Sequence, residues 1–130
     1  MLELTMASVS GTDAGATAGM LMADAPSAPG SVLRVGRDPS VCRLVTPDDW
    51  LFVSRVHLEF VWGQDGAWQV TWLRGSQPDP SSEVLLTVGE YAQSLAYGGT
   101  VTLPRGGAGE IVVRDRTSPR SINVGFYHEV

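Results

Sequence analysis

The segment between residues 57 and 73 constrains the fold most strongly, because apolar and polar residues alternate in it on both sides of a short turn. Alternation with a period of two is typical of β-strands that have one buried face. Asp65-Gly66 lies between the two runs and favours a tight hairpin turn. The residues on the predicted buried face are Leu58, Phe60, Trp62, Trp68, Val70 and Trp72. The segment therefore predicts a β-hairpin whose aromatic face enters a common core.

Shorter apolar runs of the same kind follow one another along the chain, and its 15 glycines and 8 prolines are spread between them. No segment has helical periodicity with recognisable caps. Many short strands separated by turn residues are typical of a β-sandwich or barrel, so the predicted fold class is all-β. We predict a loop at residues 8–19 and further strands at residues 2–6, 19–22, 31–36, 83–88, 99–103 and 109–114.

The 130 residues of the chain match the size of one ordinary domain. We expect residues 1–115 to form the β-domain. Residues 116–130 are then a C-terminal extension, in which residues 121–130 are predicted to add one more edge strand.

Charge and composition exclude several classes of partner. The formal net charge of -5 opposes a nucleic-acid backbone, which sequence-independent binders meet with clustered basic residues. No apolar run approaches the ~20 residues that a membrane span needs, and the opening residues lack the basic start of a signal peptide. We therefore expect neither nucleic acid nor a membrane as partner.

The cysteine and arginine content bears on the cell compartment and on origin. Cys42 is the single cysteine, so no internal disulfide can form, and we predict a cytoplasmic protein in which Cys42 is a small buried residue. All nine basic residues are arginine, and alanine and glycine are abundant, which indicates a GC-rich bacterial genome.

Two short clusters stand where loops are predicted: Gly36-Arg37 after one strand and Ser54-Arg55-Val56-His57 just before another. Arg37 offers a planar fork of donors, Ser54 a compact hydroxyl donor and Arg55 a second permanent cation. This set suits a tetrahedral phosphate oxyanion. Gly36 lacks a side chain, so it can adopt backbone angles closed to other residues and let a ligand approach closely. Together the two clusters predict a phosphate clamp.

Other interpretations of these residues are less favoured. Either cluster alone would usually be a pair of exposed residues without a binding role. A histidine such as His57 is more often structural than a catalytic base. Ser54 could act as a nucleophile with His57 as its base, but no acidic partner is evident. Two histidines and one cysteine provide no metal-ligand set, so we expect no metal, no cofactor and no enzymatic activity. Trp50 lies outside the alternating runs, and we expect it to be exposed near the binding loops.

The two clusters, their spacing and the hairpin after them resemble the forkhead-associated (FHA) domain family. The resemblance extends from Leu2 to Asp115, and the run Leu95–Leu103 is similar to a later strand entry of the family. It implies a β-sandwich of about eleven strands whose loops at one end bind a phosphothreonine peptide. It also implies specific roles: phosphate contact by Arg37 and Ser54, loop support by Gly36 and His57, loop shaping or peptide contact by Arg55, and an extra phosphate donor in Ser40.

One departure from the family pattern lies after the second hairpin strand, in the segment Arg74-Gly75-Ser76-Gln77-Pro78. The family usually has an asparagine that bonds the peptide backbone where this chain has Pro78, which has no side-chain amide. Gln77 could replace it if the loop shifts by one residue, and Arg74 could add a charged contact. Loss of the asparagine contacts would weaken binding roughly tenfold.

The sequence thus predicts a phosphothreonine-binding adaptor domain that recognises phosphorylated protein partners in Ser/Thr-kinase signalling. The alternative is a degenerate FHA-like scaffold that binds a protein independently of phosphate. The sequence predicts no oligomeric state.

Overall fold

The computed structural model describes residues 1–10 and 17–129, and these residues form a β-sandwich of two sheets whose strands are mostly antiparallel. The larger sheet has six strands in the order β2-β1-β11-β10-β7-β8, and the smaller has five in the order β4-β3-β5-β6-β9. The predicted all-β fold of about eleven strands is confirmed. The strands are β1 (Leu2–Ser10), β2 (Thr17–Ala25), β3 (Val32–Gly36), β4 (Leu44–Val45), β5 (Leu58–Trp62), β6 (Trp68–Trp72), β7 (Ser82–Val88), β8 (Tyr91–Leu95), β9 (Thr100–Thr102), β10 (Gly107–Asp115) and β11 (Arg120–His128).

The predicted hairpin is formed by β5 and β6, which pair in register from Leu58 opposite Trp72 to Trp62 opposite Trp68. Gly66 has a φ of 79°, a conformation that favours glycine and closes the turn. Phe60 and Trp68 are fully buried, as the alternation predicts. Apolar side chains of both sheets join this face in one continuous core.

Strand β11 corrects the prediction of a C-terminal edge strand. It lies between β1 and β10 and pairs with β1 over nine residue pairs, from Leu2 opposite His128 to Ser10 opposite Arg120. Its inward residues Ile122, Val124 and Phe126 are at most 3% exposed. Because β11 has hydrogen-bonded neighbours on both sides, it is an interior strand of the larger sheet.

Three further predictions differ from the structure. Strands β1 and β2 extend to Ser10 and from Thr17, into the predicted loop at residues 8–19, whose remaining residues 11–16 lie outside the described part of the chain. Strands β4 and β8 were not predicted, because β4 has two residues and β8 is almost entirely exposed, so neither shows alternation. Trp50 is only 8% exposed, because its ring packs on Phe52 and lies beneath the guanidinium of Arg120.

In the residues that the structure describes, no helix is long and apolar enough to cross a membrane.

Candidate functional site

A cavity of about 520 Å³ opens among the loops at one end of the sandwich. Residues of the segment before β5 and of the segment between β6 and β7 form most of its wall, together with Arg37 after β3 and Tyr97 before β9. The cavity therefore lies where the sequence predicted the binding loops.

Backbone hydrogen bonds hold the two predicted clusters against each other. The N–H of Arg37 donates to the carbonyl of Ser54 at 3.2 Å, and the N–H of Asp38 donates to the carbonyl of Arg55 at 3.0 Å. A Cβ atom on Gly36 would overlap the carbonyl oxygen of Arg55. Glycine is thus required at position 36 by this close approach of two backbones.

The guanidinium of Arg37 is oriented by main-chain oxygens. Its Nε–H donates to the carbonyl of Val53 at 2.5 Å, and Nη1 lies 3.4 Å from the carbonyl of Asp48. None of the ion pairs among residues 1–10 and 17–129 involves Arg37. Its positive charge and remaining N–H groups are therefore held in place at the cavity wall without a carboxylate partner.

His57 supports the segment that carries Ser54. The ring is 2% exposed, and its Nδ1 accepts the backbone N–H of Ser54 at 2.9 Å. Nδ1 must then be unprotonated, so Nε2 carries the hydrogen and faces the hydroxyl of Ser82 at 3.3 Å. Burial lowers the pKa of His57 to about 4, which keeps the ring neutral near pH 7. With both nitrogens engaged, His57 is arranged to position Ser54 rather than to remove a proton from its hydroxyl.

Tyr97 fixes the loop that departs from the FHA pattern. Its hydroxyl accepts the N–H of Gly75 at 2.8 Å and donates to the carbonyl of Gln77 at 3.0 Å. The ring packs edge-on against Trp72 at 5.1 Å, and the guanidinium of Arg74 lies over it at 4.9 Å. The loop is therefore clamped by Tyr97, which precedes β9. Gly75 in this loop lies beside the hydroxyl of Ser54.

The charge around the cavity differs from that of the whole chain. Two of its lining side chains, Arg37 and Arg55, are cations, and none of the lining side chains is acidic. At physiological salt, charges beyond about 8 Å are largely screened. The charges that line the cavity are therefore positive although the chain has a net charge of -5; Asp38, whose pKa is lowered by Ser40 and also by Arg55, lies outside the lining.

The structure brings Arg37, Ser54, Arg55, His57 and Gln77 together around the cavity, and Gly36 packs directly behind them. Two other predicted site residues lie outside its lining. The hydroxyl of Ser40 donates to the carboxylate of Asp38 at 2.6 Å, and this hydrogen bond lowers the pKa of Asp38. The side chain of Arg74 is occupied by its contact with Tyr97.

Several lining residues were missed by the sequence analysis. Tyr97 stands in the run that resembles a family strand entry, but no local pattern marks it as a loop clamp. Leu51 is 70% exposed and offers an apolar surface at the cavity. The indole Nε1 of Trp72 is buried without an acceptor among the described residues.

Metal binding finds no support in the described ranges, 1–10 and 17–129. They contain no group of three or more His, Cys, Asp or Glu side chains that could hold a metal ion.

Comparison with known proteins relates the fold, and not the sequence, to proteins that have been studied. No protein-family model matches the chain, and no curated protein matches it. Among solved structures, the N-terminal FHA domain of S. cerevisiae Rad53p, in complex with a phosphothreonine peptide, matches with a TM-score of 0.61 and 14% identity. The match covers 96% of this chain and 94% of that one.

A second solved structure is an engineered FHA domain with a Myc-pTBD peptide. It matches with a TM-score of 0.58 and 19% identity, over 97% of this chain and 92% of the other. Both matches extend over almost the entire chain, so the sandwich described above has the FHA fold.

Proposed function

We propose that this chain, with its FHA fold, is a phosphopeptide-binding domain that recognises phosphothreonine in a protein partner. The observation that carries the proposal is the convergence of Arg37 and Ser54 on one cavity without an acidic lining residue. Two structural neighbours add support, since one is in complex with a phosphothreonine peptide and the other with a Myc-pTBD peptide.

Phosphate binding follows from the chemistry of these groups. A phosphothreonine carries about -1.5 to -2 charges near pH 7 and three strong acceptor oxygens. Arg37 supplies a fixed cation with free N–H groups, and Ser54 supplies a hydroxyl on a segment that His57 holds in place. Each hydrogen bond to a charged group contributes about 1.5–3 kcal/mol. Arg55 supplies the second cation of the clamp.

Recognition of the peptide beyond its phosphate would depend on the loop around Gln77. The family's asparagine is replaced by Pro78, so the side-chain amide of Gln77, next to it at the cavity, is the group that can bond the peptide backbone. Ser40 and Arg74 lie outside the cavity lining and are engaged by Asp38 and Tyr97, so we do not assign them a peptide contact. We infer that phosphate contributes more to affinity here than sequence-specific contacts do.

A second candidate function is phosphate-independent protein binding through the same loops. The presence of Pro78 in place of the asparagine favours it, because that position contributes backbone contacts in the family. Hydrolysis is disfavoured because both ring nitrogens of His57 are engaged by Ser54 and Ser82. We therefore propose a binding module and not an enzyme.

Composition supports a proposal for the biological setting of the module. The single cysteine fits a cytoplasmic protein, and the arginine-only basic set fits a bacterial genome. A phosphothreonine reader in that setting would serve Ser/Thr-kinase signalling, with a phosphorylated protein as its partner.

Fluorescence anisotropy with a phosphothreonine peptide library and its unphosphorylated counterpart tests the proposal. Arg37→Ala should weaken binding of the best phosphopeptide roughly 10- to 150-fold, because it removes hydrogen bonds to a charged group worth about 1.5–3 kcal/mol. Ser54→Ala should act in the same direction. Arg105→Ala is the matched control, since Arg105 is exposed near Gly66, at the hairpin turn.

Equal affinity for phosphorylated and unphosphorylated peptides would reject the primary proposal and favour the phosphate-independent scaffold. Turnover of a phosphopeptide that Ser54→Ala abolishes would instead indicate a hydrolase.

A further inference from the structure

Strand β2, Thr17–Ala25, forms one edge of the six-stranded sheet. Within the part of the chain that the structure describes, its one hydrogen-bonded neighbour is β1. Along Met20–Ala25, the outer side of its backbone therefore has donors and acceptors that no described strand pairs with. An edge of this kind is a template for pairing with another strand.

Natural edge strands oppose such pairing in several ways, among them β-bulges and, in their sequence, lysine or proline. The sequence of β2 contains neither, nor any arginine, and Asp24 is its one charged residue. Three consecutive large apolar residues in it are exposed: Met20 by 65%, Leu21 by 46% and Met22 by 74%. The opposite edge of the sheet, β8, exposes one large apolar residue, Tyr91, by 72%.

The order of residue sizes in β2 is nearly symmetric about Leu21. Two copies paired antiparallel about that residue would place Met20 opposite Met22 and Gly19 opposite Ala23. A twofold interface requires this relation, since residue i must contact residue j wherever j contacts i. An axis one residue further along, at Met22, would instead put Met20 opposite Asp24.

We propose that β2 pairs antiparallel with β2 of a second copy of this chain, about a twofold axis at Leu21, and so joins the two six-stranded sheets into one. The register of β2 with β1 shifts between Ala7 and Val9, whose partners are Met20 and Thr17. Residues from Met20 onward lie on the regular side of this shift. The central pairs of the proposed interface, Met20 with Met22 and Leu21 with Leu21, therefore lie in a regular part of the strand.

Packing around the proposed pair favours methionine on one face. Met22 and Met20 lie beside Thr5 and Ala7 of β1, whose small side chains leave room on the outer face of the sheet. The four methionines of two copies can then pack over these small residues, as unbranched, polarizable side chains readily do.

Leu21 lies at a second opening, a cavity of about 350 Å³ between β2 and the segment Val45–Pro47. The hydroxyl of Thr46 in its lining is buried without a partner among the described residues. A strand of a second copy paired at Leu21 would lie next to this opening.

No like charges face each other at the centre of the proposed β2–β2 interface. The three residues nearest the axis are uncharged, and Asp24 lies three residues from the axis, so it would not face its own equivalent in the other copy. The remaining net negative charge of each copy is screened beyond about 8 Å at physiological salt.

Light scattering coupled to size-exclusion chromatography tests this proposal on the full chain, at concentrations up to about 1 mM. The expected mass is twice the 13.9 kDa of one copy. Met22→Lys places a lysine on each side of the interface and should raise the dimer dissociation constant at least about tenfold. Met20→Lys should act alike, and thermal unfolding checks that both variants fold.

Tyr91→Lys at the opposite edge is the matched control and should leave the dimer unchanged. A wild-type chain that remains at the single-copy mass up to the highest concentration would overturn the proposal. So would a dimer that persists in both methionine variants, or one that Tyr91→Lys dissociates as readily.

Discussion

Acidification should destabilise the folded chain through His57. The folded ring has a pKa of about 4, whereas an exposed histidine has a value near 6.5. Between these values the unfolded chain binds a proton that the folded chain excludes. The stabilisation is therefore fully present above about pH 6.5 and is lost progressively as the pH falls toward about 4.

The magnitude follows from the two pKa values. A difference of about 2.5 units corresponds to about 3 kcal/mol, of which about 2 kcal/mol should be lost between about pH 7 and pH 5. This loss is a large part of the 5–15 kcal/mol that holds a typical domain folded. Its structural origin is the burial of the ring, which disfavours the protonated, charged form.

Urea unfolding followed by tryptophan fluorescence measures this effect, because the free energy of unfolding can be extrapolated at each pH. His57→Gln is the control: its amide oxygen can still accept a hydrogen bond, but it does not titrate. Its unfolding free energy should be lower at about pH 7 and nearly independent of pH down to about 5. A wild-type curve that is equally flat over this range would refute the reasoning.

Three other substitutions test separate parts of the site and fold. Gly36→Ala should lower the thermal midpoint by several degrees, because the added methyl group overlaps the carbonyl of Arg55; an unchanged midpoint would contradict the close approach. Tyr97→Phe removes the hydroxyl that accepts the N–H of Gly75, and should weaken phosphopeptide binding severalfold in anisotropy while unfolding stays nearly unchanged; equal affinity would show that the clamp is not needed. Asp115→Asn should destabilise the fold by about 1–2 kcal/mol in urea, since hydrogen bonds from the following turn lower the pKa of this carboxyl to about 2 against the effect of burial; a gain in stability would contradict this role.

The hairpin and the core were predictable because their signal is local. Phe60 and Trp68 follow the alternation that a half-buried strand imposes, and their burial matches it. The position of β11 was not predictable in the same way. Ile122, Val124 and Phe126 alternate clearly, but the partner strand β1 lies more than one hundred residues away, and sequence alone does not reveal a pairing across that distance.

The two clusters of the candidate site were found because they combine unusual residue types at a spacing that resembles a known family. Arg37 and Ser54 meet at one cavity, but sequence does not display what orients them: Arg37 donates to the carbonyl of Val53, and the imidazole of His57 accepts the N–H of Ser54. Tyr97 was missed for a similar reason. Its function as a clamp exists because two distant loops meet there, and the chain around it resembles an ordinary strand entry.

One local signal could have been used more fully. Asp38 precedes Ser40 by two residues, a spacing at which a carboxylate commonly accepts the N–H and hydroxyl of the later residue. That pattern argues for Ser40 as part of a turn rather than as a free phosphate donor. Trp50 is the contrasting case, because no local signal marks its burial. It was expected to be exposed, and its burial depends on Arg120, which packs on it from the far end of the chain.

The proposed phosphate clamp can be tested most directly by nuclear magnetic resonance on the isotope-labelled chain. Addition of a phosphothreonine peptide should shift the backbone N–H signals of Ser54 and Gly75 and the Nε–H signal of Arg37, because these groups surround the cavity. The unphosphorylated peptide should leave them in place at the same concentration. Equal shifts with both peptides, or shifts confined to residues away from the cavity, would contradict the account.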